Sequence, residues 1–181
     1  MHPTFEKLHQ LYWKNLDGKD SAFCQLHPAR SLKGRSATWS TQEVIEHLVL
    51  TYRSTGALFD RYLTRNSPTQ NSRNMKHRAL QFLVIRCGGF PRGVQAPELV
   101  RPGKTDMPAM TGDELSAWMK AELEAVDAKI EKSSQLFGKQ PFASHFIFGP
   151  LTAEQWRRFH FVHGKHHLAQ VKRIRKQTAA A

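Results

Sequence analysis

The chain has 181 residues, with 27 Lys and Arg against 15 Asp and Glu, for a net charge of +12. That length holds one domain with a core of its own, so 1–181 reads as a single domain. The two cysteines, Cys24 and Cys87, stand far apart and in no C-x-x-C pattern, which argues against a disulfide framework and for a reduced, cytoplasmic setting.

The opening residues Met1-His2-Pro3-Thr4-Phe5-Glu6-Lys7 do not have the basic and apolar regions of a signal peptide. The longest apolar run, Leu80-Gln81-Phe82-Leu83-Val84-Ile85, stops at Arg86 and is too short to span a bilayer. No membrane partner is expected. A basic chain can bind nucleic acid, but the cations here are spread along the sequence. Their densest cluster, Lys172-Arg173-Ile174-Arg175-Lys176, falls at the end of the last predicted helix, where cations complement the helix dipole. Nucleic acid is therefore not the expected partner. Small anionic substrates agree with the charge.

The first predicted helix runs from about Thr4 into the mid-20s on a stripe of Phe5, Leu8, Leu11, Tyr12 and Leu16. Gly18 weakens it and is a candidate break. The second starts at Ser40-Thr41-Gln42-Glu43. There the serine hydroxyl takes a free backbone N–H and Glu43 reaches back, a capping box. Trp39 and Val44 can staple its entry. The helix carries Val44, His47, Leu48, Thr51, Thr55, Leu58, Phe59 and Tyr62 on one face and ends near Asn66-Ser67-Pro68.

Residues 67–110 form a long connection. Met75 to Cys87 reads as a short helix or a strand-like run. Beyond Gly88-Gly89, Pro91, Pro97, Pro102 and Pro108 forbid regular structure. A crossing of this length inside a domain is usually functional or covers a pocket mouth. The third long helix starts at a second capping box, Thr111-Gly112-Asp113-Glu114. It runs through Leu115, Trp118, Met119, Leu123, Val126 and Ile130 to about Leu136, with Gly138 as its stop. The fourth starts at a third box, Thr152-Ala153-Glu154-Gln155, and continues to about Lys176. The prediction is an all-α, four-helix bundle with a long crossover between helices two and three.

Four of the ten histidines, His160, His163, His166 and His167, fall within eight residues of the fourth helix. Pairs spaced i, i+3 or i, i+4 lie on one face, about 5–6 Å apart between Cβ atoms, and can share one transition metal ion. His47 stands alone on the apolar face of helix two. A bundle turns both stripes inward, so one histidine of helix two and two of helix four can meet in the core. Three protein ligands leave a position for water or substrate, the catalytic arrangement. The same histidines could instead be packed or exposed side chains without a metal. Several buried imidazoles would then need several partners, at about 1–3 kcal/mol for each polar group left unpaired, and inward carboxylates are scarce in these segments. Spacing alone leaves His163/His167 and His160/His163 both open as the chelating pair. His166 lies about 100° around the helix from His167 and points toward the bundle edge or the site mouth.

Two motifs carry a resemblance. Trp39-Ser40-Thr41-Gln42-Glu43-Val44-Ile45-Glu46-His47-Leu48 resembles the start of helix two in the DinB/YfiT-like superfamily. Phe148-Gly149-Pro150-Leu151-Thr152, Trp156 and His163-Gly164-Lys165-His166-His167 resemble its last helix. The resemblance covers most of the chain, the middle connection only loosely. It implies a four-helix bundle with a divalent metal on His47, His163 and His167, and an activity like that of its metal-dependent hydrolases or thiol S-transferases. Zinc and nickel both suit imidazole. The implied partners are a small-molecule substrate and a low-molecular-weight thiol co-substrate, and a homodimer is allowed. The general base is open among His160, His166 and Glu46, of which Glu46 is expected on the solvated face. His160, His166, Gln170 and Trp156 are the remaining pocket and outer-shell candidates. The competing class is a non-enzymatic basic helical module that contacts nucleic acid or a protein through residues 172–176, with the histidines purely structural.

Overall fold

Three reciprocal caps start the long helices where the sequence placed them. In α3 (Thr41–Arg65) the Ser40 N–H donates to Glu43 Oε2 at 2.7 Å and the Glu43 N–H to Ser40 Oγ at 3.2 Å. In α5 (Gly112–Phe137) Thr111 and Glu114 exchange the same pair of bonds. In α6 (Ala153–Thr178) Thr152 and Gln155 do so at 3.0 and 3.1 Å. The structure, a computed structural model, describes residues 1–27, 39–90, 95–103 and 107–178; Pro91 and the Ala179-Ala180-Ala181 tail fall outside them.

The first predicted helix is two. α1 (Pro3–Leu16) stops short of Gly18, which turns the chain at φ +64°, and α2 (Ser21–Gln25) restarts it with Asp20 accepting from the Phe23 N–H at 2.7 Å. The break lets the N-terminus of α5 close on the end of α1. The Gly112 N–H donates to Lys19 O at 2.8 Å, and a Cβ on Gly112 would lie 1.9 Å from Leu16 O. Only glycine permits that approach.

α3 ends at Asn66, in the left-handed region at φ +50°, and α5 ends at Gly138, φ +61°. Between them α4 (Met75–Leu80) continues as a π-helical turn over Gln81–Arg86, and Glu98–Val100 forms one 3₁₀ turn. The short-helix reading of Met75 to Cys87 thus holds over the strand-like one. Between α5 and α6, where no strand was predicted, β1 (Ala143–His145) and β2 (Gly149–Leu151) pair antiparallel, with Ser144 opposite Pro150. The chain is therefore mostly helical with one small sheet.

α3 packs on α5 and α6, and α1 packs on the same two helices. All four share one apolar cluster, which includes Phe5, Leu8, Ile45, Leu48, Phe59, Leu115, Met119, Leu123, Trp156 and Val171. Burying side chains of this size contributes about 1.5–3 kcal/mol each. Among the described residues no helix is long and apolar enough to cross a membrane.

Candidate metal centre

His47 sits near the first third of α3 and His163 and His167 one turn apart on α6, all three buried. Because α3 packs on α6, their rings meet. His163 Nε2 lies 3.4 Å from His47 Nε2 and 3.1 Å from His167 Nε2. One ligand atom from each of the three falls within 4.8 Å of the others, the one such group of histidines, cysteines and carboxylates among the described residues. Bonds of about 2.0–2.1 Å from a metal to imidazole in a tetrahedral site put ligand nitrogens roughly 3.3–3.4 Å apart. The two Nε2 separations from His163, 3.4 and 3.1 Å, are close to that value.

The outer ring atoms decide which nitrogens face inward. His47 Nδ1 is 2.7 Å from the carbonyl of Val100. A carbonyl only accepts, so Nδ1 carries the proton and Nε2 keeps its lone pair. His167 Nδ1 is 3.0 Å from Gln170 Oε1, which fixes the same tautomer. Two inward lone pairs therefore flank His163 Nε2. If His163 carries a proton on Nε2 it can donate to one of them, not both. A cation bound by all three nitrogens removes the conflict, and outer bonds of this kind orient metal-ligating histidines.

Residues 5–174 match the family model described as protein of unknown function (DUF1569). The chain belongs to the DUF1569 family. Neither the curated proteins nor the solved structures contain a match to it.

In this DUF1569 protein burial keeps the histidines neutral. It lowers His47 against the raising effect of the hydrogen bond to the Val100 carbonyl, and His166 lowers it slightly further. His163 falls well below the ordinary histidine value, through burial first and then through His167 and His47. His167 is pushed down to about 3, again by burial first and by His47 next. A metal needs its imidazoles unprotonated, and the fold supplies that state.

The walls are aromatic. Trp39, read as a staple partner of Val44, lays its ring 5.0 Å from that of His47 and stacks at 6.2 Å on His167. Phe159 stacks on His163 at 5.5 Å with an interplanar angle of 9°. Phe90, from the long connection, packs on His163 and His166 at 5.2 and 4.8 Å.

The other expected site residues divide. His166 is half-buried, 5.1 Å from the His167 ring. Gln170 stands behind His167 rather than in a pocket. Trp156 is buried in the core, with Nε1–H donating to Ala143 O at 3.3 Å, and ties the hairpin to α6. It stacks on His160 at 5.9 Å. His160 is wholly buried among Phe5, Tyr52, Trp156 and Phe159, and burial followed by His145 pushes it down to about 3. Neither of its ring nitrogens has a hydrogen-bond partner.

Glu46 departs from the solvated position expected of it. It is buried, and Oε2 accepts from the Gly103 N–H at 3.0 Å. It lines a cavity of about 430 Å³ with Leu50, Arg53, Met107, Met110 and Trp118, none of them one of the three histidines. Glu46, Leu50 and Arg53 occupy a stripe about 100° round α3 from His47. Residues on both sides of positions 104–106 cover this side: Val100 O holds His47, the Gly103 N–H holds Glu46, and Gln42 bonds Pro108 O and the Met110 N–H. Sequence reasoning missed Val100 and Phe90. A backbone carbonyl has no residue signature, and Phe90 sits beside a Gly-Gly pair in the stretch read as irregular.

Proposed function

We propose that the protein is a metal-dependent enzyme of the DinB/YfiT-like four-helix-bundle type, with His47, His163 and His167 holding one divalent ion, zinc or nickel, through Nε2. The observation that carries this reading is the convergence of three buried Nε2 atoms, two of them fixed as lone-pair donors by Val100 O and Gln170 Oε1. The motifs around His47 and His163 to His167, and four helices around one core, support the same type.

Bound there, such an ion supplies Lewis acidity at an open position, which activates a water for hydrolysis or a thiol for transfer. The chain's own part is to orient and to dry the site. Val100 O and Gln170 hold the tautomers of two ligands. Trp39, Phe90 and Phe159 exclude water from the ring faces. His166, half-buried beside His167, is the titratable side chain left to meet a substrate, whereas Glu46 is held by the Gly103 N–H and His160 lies in the core. The substrate is a small molecule, with a low-molecular-weight thiol as the co-substrate of the transfer reaction.

Elemental analysis of protein purified without chelator, with a screen of hydrolase substrates and of thiol plus electrophile pairs, tests the reading. The expected result is close to one transition metal ion per chain and an activity lost on metal removal. Protein that is metal-free and takes up neither zinc nor nickel would refute it.

A further inference from the structure

Two of the three histidines have an outer hydrogen bond and the third has none. His47 Nδ1 has Val100 O and His167 Nδ1 has Gln170 Oε1, while His163 Nδ1 is buried without a partner. A ligand held through Nε2 carries its proton on Nδ1, so His163 presents a buried donor to the core. Ligand histidines almost always satisfy that donor.

Groups of matching chemistry lie on the neighbouring turn of α6 and on α3, which packs against it. His160 precedes His163 by three residues, on the same inward face of α6. Both are buried, and both His160 nitrogens are unpartnered. The Tyr52 hydroxyl, from α3, is buried and unpartnered as well, and its ring stands 5.3 Å from that of His160 in an edge-on arrangement. Four buried polar atoms without partners, on three residues of two packed helices, are too many for a dry apolar core. A buried water typically makes about three hydrogen bonds to such groups.

We infer that His160 and Tyr52 are positioning residues, which hold the Nδ1–H of His163 through one buried water. The water accepts from His163 Nδ1–H and from the Tyr52 hydroxyl, and donates to an unprotonated nitrogen of His160. His163 then gains the outer bond that Val100 and Gln170 give the other two ligands. The inference rests on the metal reading above, since a metal on Nε2 is what fixes the His163 proton at Nδ1.

The test is zinc affinity, measured by competition with a chromophoric chelator on the full chain, for the wild type and for His160→Phe, His160→Gln and Tyr52→Phe. His160→Phe should bind zinc about 10- to 100-fold more weakly, the usual cost of removing an outer partner. His160→Gln, whose amide can still bond the water, should recover most of that affinity, and Tyr52→Phe should fall between. The melting temperature of metal-free His160→Phe should hold or rise, because an apolar ring replaces an unpaired polar one. A packing role alone would move stability without this affinity order. If His160→Phe does not fold, Tyr52→Phe, which removes one hydroxyl, carries the comparison. Wild-type affinity in both Tyr52→Phe and His160→Phe would overturn the inference and leave the metal reading standing. A wild type that binds no zinc would overturn both.

Discussion

Replacing His163 with alanine is the sharpest test of the metal centre, because this ring touches both of the others. Its Nε2 lies 3.4 Å from that of His47 and 3.1 Å from that of His167. Without it the two remaining histidines come from different helices and share no chelating pair. In the wild type the ligands are already gathered, so binding to the folded state is not opposed by rearrangement. A ligand that binds only the folded state stabilises it by about 4.1 kcal/mol at a thousand times its Kd. In a chain of this size each kcal/mol moves the melting temperature by about 2–4 °C, for an expected rise of roughly 8–16 °C. Thermal melts of chelator-treated protein, with and without zinc or nickel, read this directly. His163→Ala should show almost no shift. His9→Ala is the control, since His9 bonds Ser116 on the far side of α1 and α5 and should keep the full shift. An unshifted wild type, or a His163→Ala shift equal to it, would refute the reasoning.

Replacing His47 should abolish activity and leave the helical circular dichroism largely intact, whereas Lys172→Ala with Arg173→Ala should change activity little; the reverse ranking, with nucleic-acid binding lost in the basic pair, would favour a non-enzymatic module. Zinc should be retained below pH 6.5, the ordinary histidine value, because burial holds His163 and His167 unprotonated there; release with a midpoint at or above 6.5, followed by dialysis and elemental analysis, would contradict this. Stability should be fully present above about pH 6.5 and decline toward pH 3, since His145 and His160 titrate near 3 when folded and near 6.5 when unfolded, so the unfolded chain binds more protons in that window. Each contributes up to about 1.4 kcal/mol per pH unit, and urea melts of His160→Phe should show a shallower decline. Asp127→Ala should cost about 3 kcal/mol in the same assay, because it strips a buried Arg157 of its 3.2 Å partner and the His2 N–H of its 2.6 Å acceptor; a loss under 1 kcal/mol would show that Glu154 and Glu131 suffice for Arg157.

The helix starts were legible because a capping box is a local device. Ser40 with Glu43, Thr111 with Glu114, and Thr152 with Gln155 each satisfy backbone groups three residues apart, and no tertiary contact is needed to place them. The meeting of His47 with His163 and His167 was legible for a related reason. Helical spacing puts the pair on one face, and apolar neighbours turn that face and the His47 face into the same core. What spacing could not do was choose between His163/His167 and His160/His163. The structure packs His160 in the core against Phe5, Tyr52 and Trp156, and it is His163 and His167 whose rings reach His47.

The features that stayed hidden are those made by the backbone or by distant approach. Glu46 looked solvated because it neighbours the buried stripe of α3 without belonging to it. It is buried by a loop whose Gly103 N–H answers its carboxylate, and nothing within α3 announces that loop. The 143–151 hairpin has strands of three residues, shorter than any period can reveal. Val100 is the most consequential case. The same short segment that hides Glu46 also presents the carbonyl that sets the His47 tautomer. The long connection thus does for His47 what Gln170 does for His167 from within α6, and a sequence read one element at a time sees only the second of these. A carbonyl that fixes a tautomer is specified by where the chain passes, not by the residue that bears it. Substituting the Val100 side chain should for that reason matter less to the site than altering the path of the chain around it.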